Sequence, residues 1–298
     1  MQTVLITGAS GFIGTYVRKV LAGRGYKIVS ILHISKVNFI PYEEEKIIYG
    51  RLSDTEDLYS QLSNIKIDSC IHLAWEGIPD YSFEMSQKNL YYGIQLLGLC
   101  ERLNISHLLI AGSCWEYKNP CGRITEEWPL DNSNHFKAAK NSLQFIANAF
   151  CKEHAICFHW LRLFYVYGSG QKNSSLIPYI VKEFSQGRMP RLSGAANRND
   201  FVHVSDVASA FVRTLEMNPR DTILNIGTGE AVRVSEIVEL TAAILEKTSL
   251  LSADKLMQIG PVSDFCADME RTRDALGWQP EILIGKEWTK EKFSRYIF

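Results

Sequence analysis

A chain of 298 residues with 46% apolar content is long enough for one large α/β domain and a smaller lobe around a sizeable core. Its 32 basic and 33 acidic residues leave a formal charge of −1, which gives no electrostatic basis for a nucleic-acid or membrane partner, and small-molecule chemistry is expected. Seven cysteines without a Cys-x-x-Cys pair indicate neither a disulfide framework nor a zinc site, so no metal is expected; with no leader pattern and no long apolar run, a reducing, cytoplasmic setting is.

Val4-Leu5-Ile6 reads as a buried strand, and glycines at 8, 11 and 14 follow it at once, ahead of a helical apolar pattern at Ile13, Val17, Val20 and Leu21. Glycine accepts positive φ and has no Cβ to hold a ligand off, so such a loop lets backbone N–H groups approach an anion. The helix start behind it adds unpaired N–H groups and the positive end of the helix dipole, which suits a pyrophosphate. Further strands are predicted at Tyr26–Leu32, Lys46–Tyr49, Ser69–Ala74 and His107–Ala111, with a long helix at Met85–Leu103. Asn134–Lys152 reads as a second long helix, with Ala139, Leu143, Ile146 and Phe150 on one face, and Ile156–Phe164 as a strand. This alternation predicts an α/β fold with a doubly wound parallel sheet, the Rossmann arrangement. Beyond Gly168-Ser169-Gly170 the pattern changes to a helix at Ser175–Gln186, a loop-rich stretch over 187–199, short strands at Phe201–Val204 and Thr222–Ile226, and a helix at Val234–Leu245. The expected organisation is a dinucleotide-binding domain over 1–165 and 196–226, with a smaller interleaved substrate lobe over 166–195 and 227–298.

The loop Thr7-Gly8-Ala9-Ser10-Gly11-Phe12-Ile13-Gly14 resembles the TGxxGxxG loop of the short-chain dehydrogenase/reductase superfamily. Ile71-His72-Leu73-Ala74 looks like the strand end that lines the cofactor in its extended members, and Asn89 stands where they carry an asparagine. The segments Val166–Gln171, Asp200–Ala208, Asn225–Glu230 and Leu276–Pro280 are similar to segments of the NAD(P)-dependent epimerase/dehydratase family, which acts on nucleotide-linked sugars. The resemblance spans nearly the whole chain. It implies a nucleotide-sugar substrate, a place in surface-polysaccharide precursor synthesis, and a homodimer built on the two long helices. For the cofactor it implies contacts from Gly8, Ser10, Gly11, Phe12, Ile13 and Gly14, then from Leu52, Leu73 and Ala74, and finally from Lys140 and Leu163.

In that family the chemistry belongs to a Ser/Thr, a Tyr and a Lys. Ser113, in Ser113-Cys114-Trp115-Glu116-Tyr117, stands at the serine's place. The Tyr-x-x-x-Lys of the following helix is represented by Phe136-Lys137-Ala138-Ala139-Lys140, so the catalytic set is Ser113, Phe136 and Lys140, with no hydroxyl at 136. The family's tyrosine passes a proton to or from a sugar oxygen as hydride moves, and the lysine lowers its pKa and holds the nicotinamide ribose. Loss of a positioned acid/base group costs ~10²–10⁴ in rate. Three readings of Phe136 are open. One is an inactivating substitution introduced to trap a ligand, preferred because its surroundings are intact. The second is a natural enzyme with a substitute acid, for which His135, Tyr165 and Tyr117 are candidates. The third is a non-catalytic nucleotide-sugar or cofactor binding protein.

Cys114 and Trp115 stand where the family's 4,6-dehydratases carry Asp-Glu, so dehydration is not expected. Cys114 lies three residues before Tyr117, where the C3/C5 epimerases have their cysteine two before, so that reaction is not expected either. What remains is 4-keto reduction or 4-epimerisation, and Arg162-Leu163-Phe164-Tyr165 in place of Arg-Pro-Phe-Asn tilts the choice toward a deoxysugar 4-ketoreductase. At the end of the second strand, where an NAD site carries Asp or Glu, stand Leu32 and His33, followed by Lys36; NADP is therefore the expected cofactor and NAD the alternative. Arg51 replaces the aspartate usual beside the adenine. On the substrate side, Trp75, Ser113, Cys114 and Tyr165 are expected at the sugar. Asn199 and Gln258 take the places of the family's diphosphate arginines, with Arg198, Arg191 and Arg271 as candidate replacements.

Overall fold

The computed structural model describes residues 2–33, 35, 39–220, 223–285 and 289–297. The first half alternates as its apolar runs predict: β1 (Thr3–Thr7), α1 (Phe12–Gly23), β2 (Lys27–Leu32), β3 (Glu45–Tyr49), α2 (Thr55–Leu62), β4 (Ser69–His72), α3 (Phe83–Arg102) and β5 (His107–Ser113). Then come β6 (Gly122–Ile124), α4 (His135–Glu153), β7 (Cys157–Leu163), β8 (Tyr165–Tyr167), α5 (Leu176–Ser185), β9 (Arg198–Asn199), β10 (Phe201–His203), α6 (Val204–Met217) and β11 (Ile223–Ile226). The chain closes through β12 (Val232–Arg233), α7 (Val234–Ile244), β13 (Asp264–Ala267), α8 (Glu270–Leu276) and α9 (Lys290–Ile297).

Seven parallel strands form the central sheet in the order β11-β7-β5-β4-β1-β2-β3. Helices cover both faces, which is why Val4, Leu5 and Ile6 are all fully buried and their strand is continuously apolar. Val17 and Leu21 of α1 pack with Val207 and Phe211 of α6 on one face, and Leu96 and Leu97 of α3 pack with Leu143 and Ala147 of α4 on the other. Helices α3 and α4 approach closely at Gly93, where a Cβ would stand 2.6 Å from the Leu143 side chain. Both helices begin at capping side chains, Ser82 accepting from the Met85 N–H at 3.3 Å and Asn134 from the Lys137 N–H at 2.9 Å. The strand order reverses between β1 and β4. Their carboxyl ends therefore open a crevice, the place where a doubly wound sheet binds its ligand.

A second sheet, ordered β12-β9-β13-β6, stands beyond β11, with a third core under α5 and α7. Its strands β6 and β9 come from segments that the sequence division leaves with the dinucleotide domain. Asp200 ties the loop after β11 to β13: its buried carboxylate accepts from the Thr228, Gly229 and Ala267 N–H groups at 2.7, 2.9 and 3.1 Å. Among the described residues no helix is long and apolar enough to cross a membrane.

Candidate active site

The glycines of the first loop are required by contact as well as by conformation. Gly8 has φ +76°, and a Cβ there would stand 2.7 Å from the Ala74 nitrogen; a Cβ at Gly14 would run into the Gly8 carbonyl oxygen. Gly11 precedes α1 without any side-chain cap, so the N–H groups of the first turn remain available to an anion. Beside this loop opens a cavity of about 360 Å³. It brings together Gly8, Ser10 and Gly11 with His33, Leu52, Leu73 and Ala74, as expected for a cofactor site, and adds Trp75, which the sequence reading placed at the sugar. Phe12, Ile13 and Gly14 stand behind the loop at the start of α1, and Leu163 is buried at the end of β7; none of the four lines the cavity. Lys36 lies outside the described residues.

At the far rim Arg51 donates to His33 Nε2 at 2.8 Å, and His33 Nδ1 meets Ser35 Oγ at 2.8 Å. Leu32 pairs with Tyr49 across β2 and β3, and this register delivers Arg51 to His33. Sequence reasoning recorded Arg51 only as a departure; its partnership with His33 requires the strand register. Tyr92 also lines the cavity and was not foreseen. Asn89, buried on α3, holds the loop after β4 by accepting from the Glu76 N–H at 2.7 Å and donating to the Glu76 and Met85 carbonyls at 3.0 and 2.8 Å.

Ser113 closes β5. Its N–H donates to Glu116 Oε1 at 2.7 Å and its Oγ accepts from the Trp115 N–H at 3.2 Å, a reciprocal cap that fixes the turn. Glu116 is fully buried, with Oε2 accepting from Trp160 Nε1 at 2.9 Å and from Arg162 Nε at 2.7 Å. Arg162 in turn donates to the Tyr117 hydroxyl at 3.2 Å and the Glu126 carbonyl at 3.0 Å. A buried ion pair is tolerable only when its hydrogen-bonding groups are met in this way.

Helix α4 presents Phe136 and Lys140 on one face. Lys140 Nζ donates to the Ala111 carbonyl at 2.7 Å and lies 3.9 Å above the Trp75 ring. Burial pushes its pKa down to about 8. His72 lies beneath, its Nδ1 2.6 Å from Thr7 Oγ1, and burial followed by the Lys140 charge pushes it down to about 3, so the imidazole is neutral. Phe136 is buried in an aromatic cluster, edge-on to Trp75, Tyr81 and Trp115 at ring separations of 5.5, 5.1 and 6.1 Å.

Cys114 is buried, and desolvation, with Asp200 and Glu116 nearby, raises its thiol well above the ordinary value, so it stays protonated. Tyr165, on β8, lies beside Cys114 and Trp115 and is raised mainly by burial. Trp75, Ser113, Cys114 and Tyr165 thus flank one region. The residues expected at the diphosphate make contacts of their own. Arg198 donates to the Ala231 carbonyl at 3.0 Å and faces Asp264 at 3.6 Å. Gln258 accepts from the Ala196 N–H at 3.1 Å and donates to Asn197 Oδ1 at 3.2 Å, while buried Asn199 accepts from Ser263 Oγ at 3.1 Å. Arg191 is exposed, and Arg271 pairs with Glu126 and Glu127. Of the three candidate substitute acids, Tyr117 donates to Asn225 Oδ1 at 2.6 Å and is structural, and His135 is exposed against Phe83 at a ring separation of 5.5 Å.

Comparison with known proteins agrees with this geometry. CDP-abequose synthase from Salmonella muenchen is 25% identical, with 96% of this chain and 95% of that one covered. UDP-glucose 4-epimerase from Neisseria meningitidis serogroup A is 26% identical, with 94% and 93% covered. The structure of MoeE5 in complex with UDP-glucose and NAD superposes with a TM-score of 0.80 at 25% identity, covering 98% of this chain and 96% of that one. The family model for the NAD dependent epimerase/dehydratase family matches residues 4–227, and the chain belongs to that family.

Proposed function

We propose that the protein is a nicotinamide-dependent oxidoreductase of nucleotide-linked sugars, a 4-ketoreductase or 4-epimerase, and of these a deoxysugar 4-ketoreductase. The observation that carries the reading is Lys140. A buried ammonium is costly, and here α4 holds one against the Ala111 carbonyl of β5 and over the ring of Trp75, which lines the cavity beside the glycine loop. A protein that only binds a ligand has no need of that charge. CDP-abequose synthase and UDP-glucose 4-epimerase are named for nucleotide-linked sugars, which supports the substrate class.

The residues fit a dinucleotide. The N–H groups of the first turn of α1, with Ser10, would hold the pyrophosphate, and Lys140 the ribose hydroxyls. The bound nicotinamide would supply hydride exchange at the sugar carbon. Ser113 would donate its hydroxyl proton in a hydrogen bond to the sugar oxygen, its backbone held still by Glu116. Trp75 and Phe136 would exclude water. Arg51 and His33 at the far rim, with no carboxylate between them, favour the 2′-phosphate of NADP; NAD, which MoeE5 binds, is the alternative. The lobe over 166–195 and 227–298 would take the sugar nucleotide, α3 and α4 would build a homodimer, and the seven free cysteines fit a reducing, cytoplasmic setting.

A second reading, a non-catalytic nucleotide-sugar binding protein, draws on Phe136 and on the contacts within the small sheet that occupy Arg198, Asn199 and Gln258. Incubation with 4-deuterated NADPH and a panel of 4-keto sugar nucleotides separates the two. Deuterium is expected at sugar C4; tight binding with all label left on NADPH would establish the second reading. Fluorescence titration with NADPH and NADH is expected to favour NADPH, and tighter NADH would reverse the cofactor assignment.

A further inference from the structure

Reduction of a ketone requires a proton as well as a hydride, and Phe136 has none to give. The loop between β4 and α3 brings a phenol to the same place. Tyr81 packs edge-on against Phe136 at a ring separation of 5.1 Å and tilted against Trp115 at 5.2 Å, and among the described residues no other tyrosine makes ring contact with Phe136. Its side chain is half-buried, and its hydroxyl makes no hydrogen bond among the described residues. Burial raises its pKa above the ordinary value, so the phenol keeps its proton through neutral pH. Tyr117 is committed to Asn225, and Tyr165 packs on Phe201 and Phe265 at ring separations of 5.7 and 6.1 Å.

A proton donor must also be held in position. The Ser82 N–H donates to Asp80 Oδ1 at 2.9 Å, and Ser82 Oγ caps α3. Lys172 donates to the Ile78 carbonyl, and Gly77 lies so close to Met85 that a Cβ would meet its side chain at 2.6 Å. The loop is thus fastened on both sides of Tyr81.

We propose that Tyr81 is the catalytic acid of this chain, delivering from the β4–α3 loop the proton that Phe136 cannot supply from α4; the proposal rests on the ketoreductase reading above. In the step, the carbonyl carbon accepts hydride from the reduced nicotinamide and the C=O π pair moves to oxygen. The Tyr81 O–H bond breaks as that oxygen takes the proton, and the tyrosinate recovers a proton from water. Two electrons leave the nicotinamide and two reach the ketone.

The test compares the parent chain with Tyr81→Phe, Phe136→Tyr and the double variant. Single-turnover NADPH oxidation with 4-keto sugar nucleotides is followed from pH 6 to 10, alongside thermal unfolding and the Kd values of NADPH and nucleotide sugar. Tyr81→Phe is expected to slow oxidation by ~10²–10⁴ and to leave folding and both Kd values unchanged. Phe136→Tyr in the Tyr81→Phe background is expected to restore turnover. Parent-like turnover in Tyr81→Phe overturns the proposal, as does a double variant without turnover. A parent without turnover beside an active Phe136→Tyr overturns the role of Tyr81 and leaves the ketoreductase reading standing. Inactivity of both parent and Phe136→Tyr overturns that reading as well.

Discussion

Burial holds the Lys140 amine near a pKa of about 8, whereas an unfolded lysine titrates near ~10.4. Between these values the unfolded chain carries the proton and the folded chain does not, so folding releases it and stability rises with pH across that window. Below pH 8 the amine is charged in both states and the full cost of burying it is present. Lys140→Met is therefore expected to gain thermal stability over the parent at pH 7 and to lose that advantage toward pH 10, while turnover falls ~10²-fold or more. Unfolding scans at matched pH values check this, and a stability difference that is flat from pH 7 to 10 would contradict it. His72 has the same sign at the other end of the range: held down to about 3, it stays neutral in the fold while the unfolded chain protonates it near ~6.5, so it costs stability as pH falls between these values. The residue types at 113, 136 and 140 were legible from the sequence. Tyr81 beside Phe136, Arg51 against His33 and Glu116 against Arg162 were not, because each contact joins elements distant along the chain and leaves no trace in periodicity.

Helix α1 and its glycine loop act as one element, and two substitutions in the helix should separate contact from propensity. Gly14→Ala drives a methyl into the Gly8 carbonyl, so it is expected to lower the Tm and to weaken NADPH binding sharply. Gly23→Ala, at the last turn of the same helix with nothing near its Cβ, is expected to be neutral or to stabilise by up to about 1 kcal/mol. Calorimetry and fluorescence titration of the two variants check this, and equal behaviour would refute the contact argument. Elements with a strong period were legible: β1, α3 and α4 lie within two residues of their expected bounds, and α1 contains the whole apolar pattern read for it. Helix α6 was missed because the strand pattern at 201–204 runs into it, and because it is buried around much of its circumference, through Val204, Val207, Ala208, Ala210, Phe211 and Val212, which blurs the helical period. The strands β6, β9 and β12 span two or three residues each, too few for a period of two to register.

At the scale of the whole molecule, α3 and α4 expose Tyr91 and Ile94 on one helix and Phe145 and Ile146 on the other, with Phe145 at 56% exposure. That apolar pair of ridges is what the proposed homodimer would cover, so Phe145→Glu is expected to convert a dimer to a monomer by sedimentation, with an unchanged far-UV spectrum. A parent chain that sediments as a monomer would remove the proposal. The small sheet has a different consequence, in the order of folding. It assembles strands from 122–124, 198–199, 232–233 and 264–267, and its pairing of β6 with β13 closes a loop spanning more than a third of the chain. Contacts of such long range form late, after the local β–α units have condensed. A nascent chain would therefore own its glycine cradle well before the lobe proposed to take the sugar nucleotide is complete. Pulsed hydrogen exchange during refolding should record that delay as protection of the Leu5 and Leu109 amides ahead of those of Phe265 and Cys266.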